Sequence, residues 1–130
     1  MTTKEFEVFT AMLEEHGYKK GYDWIYEREH WYKPFGKDKN PYDEGRSLYQ
    51  VFFNVYDWSK YWDRDPSLRK LGKAYSVSVK VSVSRVIDET PVELVFDEFD
   101  SVEEVERRAE AFFKLVDEHF DVPEIEKIEE

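Results

Sequence analysis

Residues 73–87 read KAYSVSVKVSVSRVI, and this stretch decides the fold. From Tyr75 to Val83 every odd position is apolar (Tyr75, Val77, Val79, Val81, Val83), while Ser76, Ser78, Lys80, Ser82 and Ser84 occupy the even ones. Successive side chains of a strand point to opposite faces, so a period of two means one dry face and one wet face. Serine and β-branched valine are poor helix formers, which weakens the helical alternative. The valine face has to meet a core. The serine face is left with small side chains.

Upstream, Ser47–Trp58 (SLYQVFFNVYDW) repeats the alternation, with Tyr49, Val51, Phe53 and Val55 on one side and Gln50, Phe52, Asn54 and Tyr56 on the other. Gln and Asn mark the second set as the outer one. Between the two strands, Asp65 is a helix cap, Pro66 suits a first helical position and Gly72 a stop, which predicts one or two helical turns. Trp58, Tyr61 and Trp62 precede that turn and are expected to fold back on the sheet edge. Downstream, a turn at 88–91 leads to a fourth strand, VELVFDEF, over 92–99.

Farther out, the aromatic run YDWIYEREHWYK at 22–33 lacks helical periodicity and reads as one long strand. Its more apolar set, Tyr22, Trp24, Tyr26, Arg28, His30 and Tyr32, is expected to face the helices, unless a bulge swaps the faces beyond Arg28. Residues 34–46 hold two prolines, two glycines and an asparagine, and form a long loop. Both flanks are helical. Thr2 and Glu5 make a capping box ahead of Phe6, Phe9 and Leu13, and Gly17 ends that helix, at 3–16. Ser101 and Glu104 make a second box, and Val102, Val105, Ala109, Phe112, Val116 and Phe120 recur at helical spacing over 102–120.

The predicted class is therefore α+β, a two-layer sandwich in the order α-β-β-β-β-α. Its four-stranded antiparallel meander carries two helices on one face. Residues 1–122 form a single domain, followed by an acidic tail at 123–130. With 130 residues, 41% hydrophobic and 18% aromatic, the chain is long and apolar enough to bury a core.

Charge and composition narrow the function classes. The net charge is -11, and residues 92–130 carry 4 basic and 15 acidic groups, so the acidity lies in the last third. Such a field repels nucleic acid and anionic membrane, and favours a basic partner or simply solubility. There is no cysteine, hence no disulfide, thiolate metal site or thiol nucleophile. No apolar run is long enough for a membrane span or a signal peptide, and a soluble cytoplasmic protein is the expectation.

No catalytic, metal or nucleotide motif stands out. His16, His30 and His119 show no metal-ligand spacing, and the five glycines form no phosphate cradle. Asp63 and Asp65 resemble half of an oxygen-ligand loop, but Asp65 is more simply a cap. No metal or cofactor is expected. Two surfaces remain. The outer sheet face, with Gln50, Phe52, Asn54, Tyr56, Ser78, Lys80 and Ser82, sets flat aromatic plates among small hydroxyls. The acidic C-terminal helix offers Glu103, Glu106, Glu110 and Asp117 to a basic partner. Both readings compete with a plain solvated surface.

The reading is a non-enzymatic interaction module, an adaptor or inhibitor, that binds a protein, and a homodimer is the plainest case. One alternative is a single-stranded nucleic-acid or carbohydrate binder on the aromatic and serine face, with nucleic acid disfavoured by charge. Another is a small-molecule enzyme around His30, with Trp24, Tyr26 and Tyr32 lining a pocket between helices and sheet.

Overall fold

A computed structural model describes residues 1–25, 27–35, 49–87 and 90–119, with the side chains at 84–87 and 90 left aside. The elements run α1 (Thr3–Glu15), β1 (Lys19–Asp23), β2 (Arg28–Phe35), β3 (Tyr49–Asp57), α2 (Pro66–Lys70), β4 (Tyr75–Ile87), β5 (Thr90–Phe96) and α3 (Val102–His119), with a 3-10 turn at Trp58–Tyr61. The α+β class and the antiparallel meander hold. The sheet has five strands in sequence order, not four, and besides the two long helices the short turn expected after Asp65 forms α2. Of the loop anticipated at 34–46, Pro34 and Phe35 instead extend β2 by pairing with Gln50 and Tyr49, and 36–46, like the tail at 123–130, Tyr26 and Phe120, lies outside the described residues.

The extra strand arises because 22–33 is not continuous. Lys19–Asp23 and Arg28–Phe35 pair as a hairpin, with Asp23 opposite Arg28 and Lys19 opposite Tyr32. Its turn contains neither Gly nor Pro. Glu27 supplies the reversal by adopting φ 51, the left-handed region that side chains other than glycine resist. The turn also exchanges the faces: Trp31 is buried, whereas Trp24 is 82% exposed and Ile25 87%. Trp24 therefore does not face the helices, and Arg28, His30 and Tyr32 lie on the outer side of the sheet.

The organising strand behaves as its alternation requires. Val77, Val79, Val81 and Val83 are buried, and the β3 register sets Val51 against Val81, Phe53 against Val79 and Val55 against Val77. Phe6, Phe9 and Leu13 of α1 and Val102, Val105, Ala109, Phe113 and Val116 of α3 join them in one cluster, so both long helices cover the same face. At its centre Phe53 is wholly buried, ringed edge-on by Phe9, Tyr18 and Phe99 at 5.6, 5.2 and 5.8 Å. Phe6 stacks on Tyr75 with ring centroids 4.0 Å apart.

Local signals set the helix ends. Thr2 and Glu5 form the reciprocal capping box, at 3.1 Å in both directions. At α3 the reciprocity is displaced: Ser101 Oγ accepts from the Glu104 amide, while the Glu104 carboxylate accepts from the Asp100 amide. Asp65 caps α2 with Pro66 behind it, as its sequence predicts. Gly17, at φ 87, ends α1 in the left-handed conformation that glycine adopts without steric cost. Gly21 serves differently. A Cβ there would lie 2.5 Å from His30 Nε2, so the imidazole rests directly on the β1 backbone.

Candidate functional site

The outer face of the sheet is built by register. Tyr32 lies opposite Phe52, Phe52 opposite Lys80 and Lys80 opposite Val95, which makes one row across four strands. The next row runs His30, Asn54 and Ser78. Rings pack between the two rows, with His30 to Tyr32 at 5.8 Å and His30 to Phe52 at 6.1 Å. Cations sit on the plates: Lys80 Nζ is 4.7 Å from the Phe52 centroid and the Arg28 guanidinium 4.9 Å from that of Tyr56. Lys80 also reaches Glu93 at 3.9 Å.

All seven sequence-predicted face residues lie on this side. Phe52, Asn54, Ser78 and Lys80 are half-buried and Tyr56 is exposed, whereas Gln50 and Ser82 are only 5% and 6% exposed and present little surface. Val95, 61% exposed, joins them. Both long helices pack on the opposite face.

The acidic helix divides differently. Glu106 sits over the core margin, taking a hydrogen bond from the Tyr18 hydroxyl at 3.3 Å and an ion pair from Lys33 Nζ at 3.4 Å, with His16 Nδ1 at 3.5 Å. Glu103 meets His16 Nε2 at 3.0 Å, and Asp117 accepts from the Tyr49 hydroxyl at 2.5 Å. The Glu103 carboxyl is held below its usual range by its own backbone N–H and then by His16. Glu110, exposed, makes no such contact with a described residue. These carboxylates fasten α3 to the sheet and to α1.

His30 lies between Tyr32 and Phe52, on the opposite side of β2 from Glu29. Glu29 turns to the helix side, where Oε1 accepts from Trp31 Nε1 at 2.6 Å and Oε2 is 3.9 Å from Lys20 Nζ. The adjacent acid and base are thus separated by the sheet itself. Tyr32 is on the outer face and Trp24 in solvent, so the pocket imagined between helices and sheet is not formed from them. Among the described residues no three His, Cys, Asp or Glu side chains converge to hold a metal ion. No described helix is long and apolar enough to cross a membrane.

Two hollows flank the end of the sheet where β3 leaves it. The smaller, about 340 Å³, opens beside Tyr56, Ser76, Ser78 and Asp97, with Met1 and Phe99 beneath. The larger, about 790 Å³, wraps round the strand ends between the β1–β2 turn and the segment 57–68. Trp58 anchors that segment: its Nε1 donates to Ser76 Oγ at 2.8 Å, while Asp57 caps the 3-10 turn by accepting from the Ser59 amide at 3.0 Å. Trp62 Nε1 donates to the Lys73 carbonyl at 3.0 Å, so the two indoles fold the connection back on the start of β4, an interior strand, and not on a sheet edge as the sequence led one to expect. Inside the cleft the Tyr75 phenol is pushed up from its usual range, first by burial and then by the Asp57, Glu29 and Glu7 carboxylates. It stays protonated and able to donate.

Sequence patterns did not foretell this cleft or the Trp24–Ile25 tip. The only signal was aromatic density at 22–32 and 56–62, without periodicity to place it. Comparison of the chain with protein-family models, with curated proteins and with solved structures returns no match, so the reading of this protein rests on its own geometry.

Proposed function

We propose that this chain is a protein-binding module without a catalytic centre and that its working surface is the outer face of the sheet. The supporting observation is the row Tyr32, Phe52, Lys80 and Val95, half-exposed to exposed, on the side away from both long helices. Aromatic plates bring large apolar area at little cost in rotamer entropy, which is why interfaces favour them. The acidic helix is the weaker surface, because three of its four candidate carboxylates already bind within the chain. Nucleic acid is disfavoured too: the face spends Lys80 and Arg28 on its own rings, and the net charge is -11.

The partner that fits is a second copy. A two-fold axis along β3 lays the β1–β2 side of one copy over the β4–β5 side of the other, an isologous contact in which each half answers the other. Trp24 and Ile25, the most exposed apolar pair, project from the end of β1. The hollow beside Ser76, Ser78 and Asp97 opens at the same end of β4 and β5. Knob and hollow thus face each other twice, and Lys19 of one copy comes over the Glu93–Asp97 side of the other. Burying one exposed indole contributes roughly 2 kcal/mol.

Light scattering on the full chain at low and high salt tests this. A dimer that persists at high salt, and that Trp24→Ser or Phe52→Glu weakens at least about tenfold with the circular dichroism unchanged, is expected. A monomer at every concentration and salt removes the reading.

A further inference from the structure

The larger cleft meets the outer face only at Arg28 and Tyr56 and has a chemistry of its own. Five of its lining side chains are aromatic: Tyr22, Tyr56, Trp58, Tyr61 and Tyr75. Its charges nearly cancel, with Glu27, Glu29, Asp57 and Asp65 against Arg28, Lys60 and Arg64. At about 790 Å³ it falls within the usual size of small-ligand sites, roughly 300 to 1,000 Å³.

The balance of charge selects the ligand. An anion would meet four carboxylates in the field of a chain at -11, and a cation would meet two guanidiniums and an ammonium. A neutral molecule escapes both penalties. Carboxylates only accept hydrogen bonds, guanidinium and ammonium only donate, and phenols do both, so the wall suits a ligand bearing many groups that donate and accept at once. Hydroxyls are such groups. The aromatic plates add a complementary demand for an apolar C–H surface, which a sugar ring presents on its faces.

Several of these groups are available. Asp57 and Asp65 use Oδ1 for capping Ser59 and Ser67. Among the described residues Arg64 makes no ion pair, and Lys60 hydrogen-bonds the Glu27 carbonyl at 3.5 Å. Tyr61 is 48% exposed at the wall. The left-handed Glu27 stands at the same mouth, and strained non-glycine residues concentrate where a site must be held in shape. We infer that this cleft binds a neutral oligosaccharide, stacked on the tyrosine and tryptophan rings and hydrogen-bonded by the mixed carboxylate and guanidinium wall.

Fluorescently labelled full chain on an array holding neutral, sulfated and sialylated oligosaccharides is the test. Binding to neutral glycans is expected, weakened at least about tenfold by Tyr61→Ala and by Arg64→Ala. Both side chains are exposed, so the fold does not depend on them, and circular dichroism verifies it. Phe52→Glu, on the outer face, should leave glycan binding intact even where it dissolves the dimer, so the two proposals fail separately. Absence of any glycan bound, retention of anionic glycans alone, or binding indifferent to both cleft variants overturns the inference.

Discussion

Phe52 and Phe53 are neighbours on β3, yet they inhabit different molecules in energetic terms. Phe53 is sealed among Phe9, Tyr18 and Phe99, while Phe52 lies half-open under the Lys80 ammonium. The sheet thus separates two duties. The side under α1 and α3 supplies stability, and the side away from them is free to vary its chemistry at small cost to the fold.

Truncating the pair breaks or upholds that division most directly. Phe53→Ala should cost about 3–5 kcal/mol through lost burial and the cavity left behind. Phe52→Ala should cost about 1 kcal/mol, most of it the cation–ring contact and partial burial. Urea titrations of both variants measure the contrast, and equal losses would erase it.

Alkaline pH sharpens the comparison from the covered side. Burial, reinforced by the neighbouring Glu106 carboxylate, pushes the Tyr18 phenol well above its ordinary value of 10.0. Because the folded value lies above the unfolded one, stability from this group is complete below about pH 10 and is lost as pH rises beyond it, by about 1.4 kcal/mol per pH unit. Tyr18→Phe should flatten that decline while costing about 1 kcal/mol at neutral pH for the missing hydrogen bond. Phe52→Ala should leave the slope unchanged. Denaturant midpoints between pH 8 and 11 decide.

The smallest effect concerns a residue that belongs to neither face. Glu27→Gly relieves the left-handed strain of the hairpin turn and should raise stability by about 0.5–1 kcal/mol, read as a higher thermal midpoint. A loss instead would mean that the Glu27 side chain contributes to the turn in its own right.

What was legible in the chain follows the same division. Where one face is buried and the other is not, as at 49–56 and 75–83, alternation is strict and the strands and their faces could be read. Thr2 with Glu5, and Asp65 with Pro66, announced their helix ends because capping is local chemistry. The hairpin at 19–35 escaped for two reasons. Its first strand, KKGYD, lies at the sheet edge and needs no alternation, and its turn uses Glu27 where Gly or Asn would have signalled a reversal. With the turn unseen, Trp24 and Trp31 exchanged places. The large cleft was out of reach because it is assembled from two stretches remote in sequence, 22–29 and 55–75.

The seat of His30 on Gly21 has one more implication. Since Gly21 has no left-handed backbone requirement, alanine there is conformationally tolerable, and the added methyl meets only the far end of an imidazole. One carbon on β1 would lift that ring and re-angle the aromatic plates beside it. The outer surface can therefore be retuned from a backbone position that contributes no side chain to it, leaving the valine layer undisturbed.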